Sequence, residues 1–467
     1  MTERSEYAKD DPLSMVITYL EKANKDALAS QVLDVFAETA RGMEQVNLLA
    51  KLYFDVRNLQ KAEEFALRVL GMTSTPEESY NARANLAKMY NNVNLPEKSL
   101  FYSKLNQAVR PSDPDTQLEM VFSLYLLNKK DDAEKILRNL KAREHELDER
   151  HRDIVSFNLG TYDLEQGKFI EGLTGFMIKG KKLKLWFSHR ELPYTFWSGG
   201  IYPGKTLVLF AEGGGIGDEM LSVRFMDDLK NLGFKPVFYT SRKDLYNIFN
   251  RCGYETIMTL DNVPPDALWT YFMQVPIYLD STVESVKRSK YLFPSDAATQ
   301  KWAYIKDTPG LKIGVRWQGN AKNERDLHRQ VPLDGIMKTL HETLDGREVT
   351  YYSLQVGDGE DQIAKYPELT DLTAGIHSYD DTLAILQNLD YVITSCTSVL
   401  HASAIVGTPT LALIPVSAYF TWVSPSPNNT SIWYEDNLRL FRQITPKKWD
   451  EPFAELGAFL KQSIENT

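Results

Sequence analysis

Cysteine and long apolar runs are both scarce in this chain of 467 residues. Its two cysteines, Cys252 and Cys396, lie far apart without metal-ligand spacing, so neither a disulfide framework nor a zinc site has support. No uninterrupted apolar run reaches the roughly 18 residues that a membrane-spanning helix needs. The charged first residues, MTERSEYAKDDPLSMV, lack the apolar segment of a signal peptide. We therefore expect a cytoplasmic protein without membrane insertion.

Positive charge is also in deficit, because 53 Lys and Arg face 63 Asp and Glu for a formal net charge of −10. This balance disfavours a surface that coats nucleic acid generally, but it is compatible with a local basic groove. Apolar side chains, in contrast, make up 43% of the residues. Length and composition together predict two or three globular domains with large cores.

The first part of the chain, from about Leu13 to Phe176, has helical periodicity and an internal repeat. The segments NLLAKLYFDVRNLQKAEEFALRVL and ANLAKMYNNVNLPEKSLFYSKL align with each other and with two later segments. A small residue recurs in each second helix, at Ala62, Ser99, Ala133 and Gly172. The pattern resembles the tetratricopeptide repeat, which implies an α-solenoid that binds a partner protein; an irregular helical bundle is the alternative.

Beyond Thr206 short β-branched runs alternate with helical patterns, which is typical of α/β domains with parallel sheets. The predicted strands are TLVLF, KPVFYT, KIGVRW, VTYYSL, YVITS and TLALI. They form two groups on either side of KRSKYLFPSDAATQKWAYIKDTPG, which predicts two Rossmann-like lobes with a cleft between them. The expected domains are residues 1–178, 179–300 and 301–467.

The stretch LFAEGGGIGDEMLS turns from a strand into a helix through four glycines, whose free amides suit a phosphate or an anionic sugar group. A dinucleotide-binding loop needs G-x-G-x-x-G, but Asp218 occupies the position of the last glycine. The next strand ends in FYTSRK, without the acidic residue that binds ribose. A dehydrogenase is therefore disfavoured.

The second lobe contains YVITSCTSVLHASAIVGTPTLALIP, in which a buried strand ends at Thr394 and a helix begins near Ser398. Hydroxyls and amides at such a helix start form an anion site suited to a diphosphate, although capping of the helix by Thr397 or Ser398 is the simpler interpretation. An earlier strand end, in GVRWQGNAKNERDLHRQVPL, is rich in cations that suit a phosphate or a solvated loop. They are Arg316, Arg325, His328 and Arg329.

Seven motifs follow one another in the order found in glycosyltransferase family 9, the heptosyltransferase group, and the chain resembles its members with N-terminal tetratricopeptide repeats. They are LPYTFWSGG, GKTLVLF, EGGGIGD, VRWQGN, YSLQ, CTSVLH and SIWYEDNLRLFRQ. The resemblance implies a GT-B fold and a metal-independent, inverting sugar transfer without a cofactor. It assigns Asp218 as the catalytic base, which takes a proton from the acceptor hydroxyl.

The resemblance and the anion-site pattern together assign the donor nucleotide sugar, favoured as UDP-type, to the C-terminal lobe. The donor-binding residues are Arg316, Gly319, Asn320, Arg329, Thr394, Ser395, Thr397, Ser398 and His401. The acceptor-side residues are Glu212, Gly214, Gly215, Gly217 and Trp197. Three positions depart from the family pattern, Cys396, Leu327 and Val356, which points to a different donor or donor pose.

The sequence leaves three functions open, two that differ in the acceptor and one without catalysis. Chains with this domain plan occur in T-even-type phages, which favours a hydroxymethylated cytosine in DNA and action in the host cytoplasm. The junction between the two parts, with its lysines and with Tyr194, Phe196 and Trp197, would then contact the DNA. A protein or glycan presented by the repeats is the second possibility, and a non-catalytic scaffold is the third.

Overall fold

The computed structural model describes residues 12–22, 25–177, 192–211, 215–320, 326–426 and 429–466. The chain divides into two compact units, one up to Ala142 and one from Arg143 onward. The helical hairpin of residues 149–176 thus belongs to the second unit. The domain boundaries at 178/179 and 300/301 stay predictions. Within the described ranges, no helix combines the length and the apolar composition required to cross a bilayer.

The first unit consists of helices that follow one another as hairpins. They are α1 (Pro12–Lys22), α2 (Asp26–Thr39), α3 (Met43–Asp55), α4 (Leu59–Met72), α5 (Tyr80–Asn92), α6 (Pro96–Val109), α7 (Pro114–Leu126) and α8 (Lys130–Ala142). The small residues Ala62, Ser99 and Ala133 are buried where two helices meet, as the repeat predicts. The helical hairpins are confirmed, and their assignment to the tetratricopeptide family stays a prediction.

The hairpin turns share one backbone geometry, which explains the repeat in physical terms. In four of the described hairpins a left-handed residue follows the first helix, at Arg57, Asn94, Asn128 and Gly167. The next amide then donates to the carbonyl five residues earlier, as Asn58 does to Tyr53 at 2.9 Å. This bond terminates a helix and turns the chain back within two residues.

The second unit begins with a hairpin of α9 (Glu149–Glu165) and α10 (Phe169–Phe176) and continues into two parallel sheets. The first sheet has the order β1-β5-β2-β3-β4. Its strands are β1 (Thr195–Phe196), β2 (Thr206–Phe210), β3 (Lys235–Tyr239), β4 (Thr256–Ile257) and β5 (Leu268–Tyr271). Its helices are α11 (Ile216–Val223), α12 (Phe225–Asn231), α13 (Lys243–Arg251), α14 (Gln274–Tyr278) and α15 (Val283–Val286). The next helix, α16 (Asp296–Trp302), packs against the helix Tyr379–Gln387, which belongs to the second sheet.

The second sheet has the order β11-β10-β9-β6-β7-β8. Its strands are β6 (Leu311–Arg316), β7 (Val349–Ser353), β8 (Leu369–Asp371), β9 (Tyr391–Ser395), β10 (Thr410–Ile414) and β11 (Leu438–Arg442). Its helices are α17 (Asp326–Arg329), α18 (Leu333–Thr343), α19 (Tyr379–Gln387), α20 (Ser398–Val406), α21 (Phe420–Val423) and α22 (Asp450–Glu465). The two predicted Rossmann-like parallel sheets are confirmed.

The strand order marks where a ligand site forms in each sheet. In the second sheet, β6 and β9 are neighbours, and the chain continues from them toward opposite edges. In the first sheet, β2 and β5 are also neighbours: the chain runs from β2 to β3 and β4 at one edge and then crosses to β5 on the other side of β2. Ligands of such sheets bind beyond the carboxyl ends of the strands at this switch point, because the following loops diverge and leave a crevice. The predicted glycine turn follows β2, and the predicted diphosphate turn follows β9.

Candidate active site

Asp218 occupies the first turn of α11, immediately beyond the carboxyl end of β2. Its Oδ2 accepts a hydrogen bond of 2.7 Å from the Gly215 amide, which completes the start of the helix. Oδ1 is buried and has no hydrogen-bond partner among the described residues. Burial raises the pKa of Asp218 to about 6, while the Gly215 hydrogen bond and the charge of Arg242 oppose that rise. Such a carboxylate suits a proton acceptor near neutral pH.

An ion pair between buried Glu219 and partly exposed Arg242 lies beside this carboxylate. Glu219, the next residue of α11, pairs with Arg242 and accepts a hydrogen bond of 2.5 Å from the Thr240 hydroxyl. Thr240 and Arg242 both follow β3. Glu219 is thereby occupied, and of the two adjacent acidic residues only Asp218 retains an acceptor atom that no described residue satisfies.

The two sheets meet at this point through α11 and α20. Gly217 lies so close to the imidazole of His401 that a methyl group on Gly217 would come within 2.9 Å of Nε2. His401 is 5% exposed, and its Nδ1 lies 2.7 Å from the Tyr434 hydroxyl. Burial and the charge of Arg224 lower the pKa of His401 to about 3, so the ring is neutral. The glycine is therefore required for the helices to approach.

Arg224 ends α11 and holds it to segments from both lobes. Its guanidinium is fully buried and donates to the carbonyls of Val286 at 3.0 Å and Trp433. It also donates to the Tyr291 hydroxyl at 2.9 Å and lies over the ring of Tyr434 at 4.8 Å. No motif drew attention to Arg224, and nothing in its sequence surroundings distinguishes it from a surface arginine.

The predicted diphosphate turn joins β9 to α20. Thr394 and Ser395 end the strand fully buried, and Thr397 occupies the N-cap position of the helix that Ser398 begins without a capping hydrogen bond from its side chain. The Ser395 Oγ has no hydrogen-bond partner within the described part of the chain. Cys396 is buried, and burial raises the pKa of its thiol to about 11, so it carries no charge. The turn therefore presents hydroxyls and helix-start amides without a negative side chain of its own.

Two of the predicted cations lie at the same edge. Arg316 ends β6 opposite Thr394, and its Nη1 donates to the Leu354 carbonyl at 2.7 Å. Arg329 donates to the Cys396 carbonyl at 3.2 Å, which brings its charge to the start of α20. Gly319 lies against the Arg329 guanidinium, which would have to shift to admit a side chain at this position.

The remaining predicted residues divide into several groups. Asn320 is exposed at the end of the β6 loop, and Ser398 is half-buried at the start of α20. Glu212, Gly214 and Arg325 lie outside the described residues, as does the side chain of Leu327. Val356 is exposed.

Trp197 is 1% exposed and packs edge-on against the rings of Phe234 and Tyr278, with its indole N–H bonded to the Gly200 carbonyl at 2.6 Å. In this position it supports the first sheet and offers no face to an acceptor. Its predicted contact with an acceptor therefore has no geometric support.

Metal-binding side chains are not grouped in the described ranges, where no three His, Cys, Asp or Glu residues gather in an arrangement that could hold an ion. Metal independence stays a prediction.

No protein-family model matches the chain, and no curated protein matches it. Among solved structures it is similar to a family 9 glycosyltransferase from Veillonella parvula, at 11% identity and a TM-score of 0.37 over 56% of this chain and 91% of the other. A mutant O-GlcNAc transferase from Thermobaculum terrenum aligns over 91% of this chain and 92% of its own, at 11% identity and a TM-score of 0.33. The E. coli heptosyltransferase WaaC, solved with an ADP-heptose analogue, aligns over 56% and 99%, at 10% identity and a TM-score of 0.35. Likenesses of this strength establish neither a family nor an activity.

Proposed function

We propose that the protein is a GT-B glycosyltransferase that moves a sugar from a nucleoside-diphosphate donor, favoured as UDP-type, to an acceptor hydroxyl with inversion. The observation that carries this proposal is that the turns which follow β2 and β9 lie close to each other. Gly217 contacts His401, and the charge of Asp218 acts on the Cys396 thiol across the same gap. A carboxylate from one sheet thus lies opposite an anion-binding turn from the other.

Each group has one task in this reaction. Asp218 takes the proton of the acceptor hydroxyl through Oδ1 as the hydroxyl oxygen attacks the anomeric carbon. The bond from that carbon to the diphosphate oxygen breaks on the opposite face, which inverts the configuration. The amides at the start of α20 and the charges of Arg316 and Arg329 stabilise the diphosphate as it leaves. These cations supply the positive charge that a metal ion supplies in other transferases, so the reaction is proposed to need no metal or other cofactor.

The proposed acceptor is the hydroxymethyl group of a modified cytosine in phage DNA. The domain plan of helical hairpins followed by two parallel sheets supports this acceptor, and the net charge of −10 does not. The lysines of the junction lie outside the described residues. A protein or glycan acceptor recruited by the hairpins is the alternative. A binding scaffold without catalysis is the third candidate, favoured slightly by two departures from the family pattern, Cys396 in place of an aspartate and Leu327 in place of an arginine.

One experiment tests the activity and the acceptor together. The protein is incubated with a panel of nucleoside-diphosphate sugars and hydroxymethylcytosine DNA in the presence of EDTA, and the digested nucleosides are analysed by mass spectrometry. A nucleoside heavier by one sugar is the expected product. Asp218→Asn should lower turnover about 10²- to 10⁴-fold, whereas Asp345→Asn, the same change at an exposed loop, should leave it unchanged.

The other outcomes separate the alternatives. If the donor is hydrolysed but the nucleoside profile is unchanged, DNA is excluded as the acceptor and a protein or glycan becomes the favoured acceptor. Calorimetry without binding of any sugar nucleotide establishes the scaffold instead. Full turnover by Asp218→Asn overturns the assignment of the base.

A further inference from the structure

We propose that Tyr379 binds the donor directly, with its phenol hydroxyl donating a hydrogen bond to the diphosphate. The identity of the donor rests on the proposed function. None of the seven sequence motifs contains Tyr379. Three features of the residue support this role: its place in the fold, the missing partner of its hydroxyl, and the groups around it.

Tyr379 begins α19, the helix that leads from β8 into β9. Since β8 and β9 belong to one parallel sheet, the helix between them begins at the carboxyl edge, where β6 ends at Arg316 and β9 ends at Ser395. The helix α19 packs against α20, which follows the predicted diphosphate turn. The Tyr379 amide also donates to Asp244 Oδ2 at 3.1 Å, and Asp244 lies on α13 of the first sheet. Tyr379 therefore lies where the two lobes face each other, at the edge that carries the diphosphate turn.

The Tyr379 hydroxyl is buried and has no hydrogen-bond partner among the described residues. Another tyrosine of this lobe shows the ordinary arrangement, because the Tyr352 hydroxyl donates to Thr308 at 2.9 Å. A buried hydroxyl without a partner costs folding free energy, and a ligand that completes the hydrogen bond accounts for its presence. The hydroxyl of Ser395, which is fully buried, has the same property. Two unsatisfied hydroxyls thus lie at one edge of the second sheet.

The groups around the Tyr379 hydroxyl determine which ligand it can bind. Burial raises the pKa of Tyr379 to about 12, while the Ser398 hydroxyl and the charge of Arg316 oppose that rise. The phenol is therefore protonated at neutral pH and has a proton to donate. The Arg316 guanidinium and the amides at the start of α20 are donors as well. A ligand that meets all of them has to supply acceptor oxygens and negative charge, as a diphosphate does. A sugar hydroxyl would supply an acceptor without the charge.

The first measurement tests whether the hydroxyl has a partner within the protein. Tyr379→Phe removes only the hydroxyl, so the urea midpoint of the full chain should stay the same or rise. Tyr352→Phe is the matched control, because it removes a hydroxyl that donates to Thr308, and its midpoint should fall. If both variants lower the midpoint equally, the Tyr379 hydroxyl has a protein partner and the proposal is wrong.

The second measurement tests the ligand by calorimetry with UDP, ADP, GDP and CDP. Tyr379→Phe should weaken the tightest of these diphosphates about 10-fold, the loss expected for one hydrogen bond to a charged group. Its affinity for the matching nucleoside, which has no phosphate, should not change when followed by ligand-observed NMR. Tyr352→Phe should bind both ligands as the wild type does. An unchanged affinity for the diphosphate, or an equal loss for the nucleoside, overturns the proposal.

Failure of this inference can be distinguished from failure of the proposed function. If the wild type and Tyr379→Phe bind a diphosphate equally well, Tyr379 does not bind the donor, but the sugar nucleotide stands as the substrate. If none of the four diphosphates binds to the wild type, the nucleotide donor is wrong, and so is the role of Tyr379 in binding it.

Discussion

Gly215 and Asp218 are joined by a 2.7 Å hydrogen bond from the backbone amide to Oδ2, while Oδ1 of the same carboxylate meets no donor in the described part of the chain. One oxygen thus fixes the orientation of the carboxylate, and the other remains available for chemistry. The amide belongs to the helix start itself, so the position of the carboxylate depends on the backbone and not on a mobile side chain.

The raised pKa of Asp218 predicts that folding stability falls as the pH rises. Between the usual pKa of 3.8 and the folded value of about 6, the folded chain holds a proton that the unfolded chain has lost. Above about 6 both forms are ionised, and burial of the charge costs roughly 2 to 3 kcal/mol. Asp218→Asn keeps an acceptor for Gly215 and has no charge, so its gain in unfolding free energy over the wild type should grow across this window. Urea unfolding at both ends of the window measures it.

The same pKa predicts the pH dependence of turnover. Because the base acts in its ionised form, kcat/KM should rise with pH up to about 6 and then level off on that limb. Asp345→Asn should reproduce the wild-type profile. For stability, the raised pKa would be contradicted if the unfolding free energy of Asp218→Asn exceeded that of the wild type by the same amount at every pH.

Gly217 should tolerate no side chain. A methyl group there would meet the His401 ring, and neither helix can retreat without separating the two lobes. We expect Gly217→Ala to lower the unfolding free energy by about 1 to 3 kcal/mol and to reduce turnover strongly.

Gly215→Ala is the matched control two residues away, because its methyl group would come no nearer than 3.9 Å to Asp218 Oδ2. It should cost less than about 1 kcal/mol. Equal effects of the two substitutions would mean that the glycine turn, and not the contact with His401, is the sensitive feature.

Most of the fold was predictable because its signals are local. The runs TLVLF, YVITS and TLALI coincide with β2, β9 and β10, which are buried on both faces and so read as continuous apolar stretches. The strand β5, with the sequence LWTY, was missed, since four residues without alternation carry no period. The hairpins were predicted because the aligned segments repeat a small residue in each second helix, at Ala62, Ser99, Ala133 and Gly172.

The site was predictable only where its residues adjoin those strand ends. Asp218, Ser395 and Thr397 lie within a short turn of a predicted strand, so the parallel topology alone places them at one edge. Arg224 and Tyr291 depend on contacts between segments distant in sequence, which no local pattern encodes. Trp197 was assigned to the acceptor side because aromatic residues near lysines resemble a stacking surface, although a buried packing role has the same local sequence.

Arg224 should be essential for the junction of the lobes. Substitution by lysine keeps the charge but removes the guanidinium N–H groups that donate to Val286, Trp433 and Tyr291. Buried carbonyls are then left without donors. We expect Arg224→Lys to lower the unfolding free energy by about 2 to 4 kcal/mol. Arg251→Lys, at a partly exposed ion pair with Asp380, should change it by less than about 1 kcal/mol. Similar values for both would show that the charge of Arg224 suffices.

Substitutions of Ser395 and Ser403 can be compared to distinguish an effect on donor binding from an effect on stability in the second lobe. Both are fully buried, but the Ser403 hydroxyl is bonded to Thr410 at 2.6 Å, whereas the Ser395 hydroxyl has no partner among the described residues. Ser403→Ala should therefore cost about 1 kcal/mol of unfolding free energy without changing donor affinity. Ser395→Ala removes an unsatisfied buried hydroxyl and should leave stability unchanged or raise it by up to about 1 kcal/mol.

The affinity of Ser395→Ala for UDP tests whether the Ser395 hydroxyl binds the diphosphate. If the turn between β9 and α20 holds the diphosphate, the loss of one donor to a charged ligand should weaken UDP binding by about 10-fold, measured by calorimetry. A protein that became more stable and bound UDP less well would show that the unsatisfied hydroxyl is retained for the ligand. A protein that became more stable and bound UDP equally well would place the diphosphate elsewhere along the strand ends, beside Arg316 or Arg329.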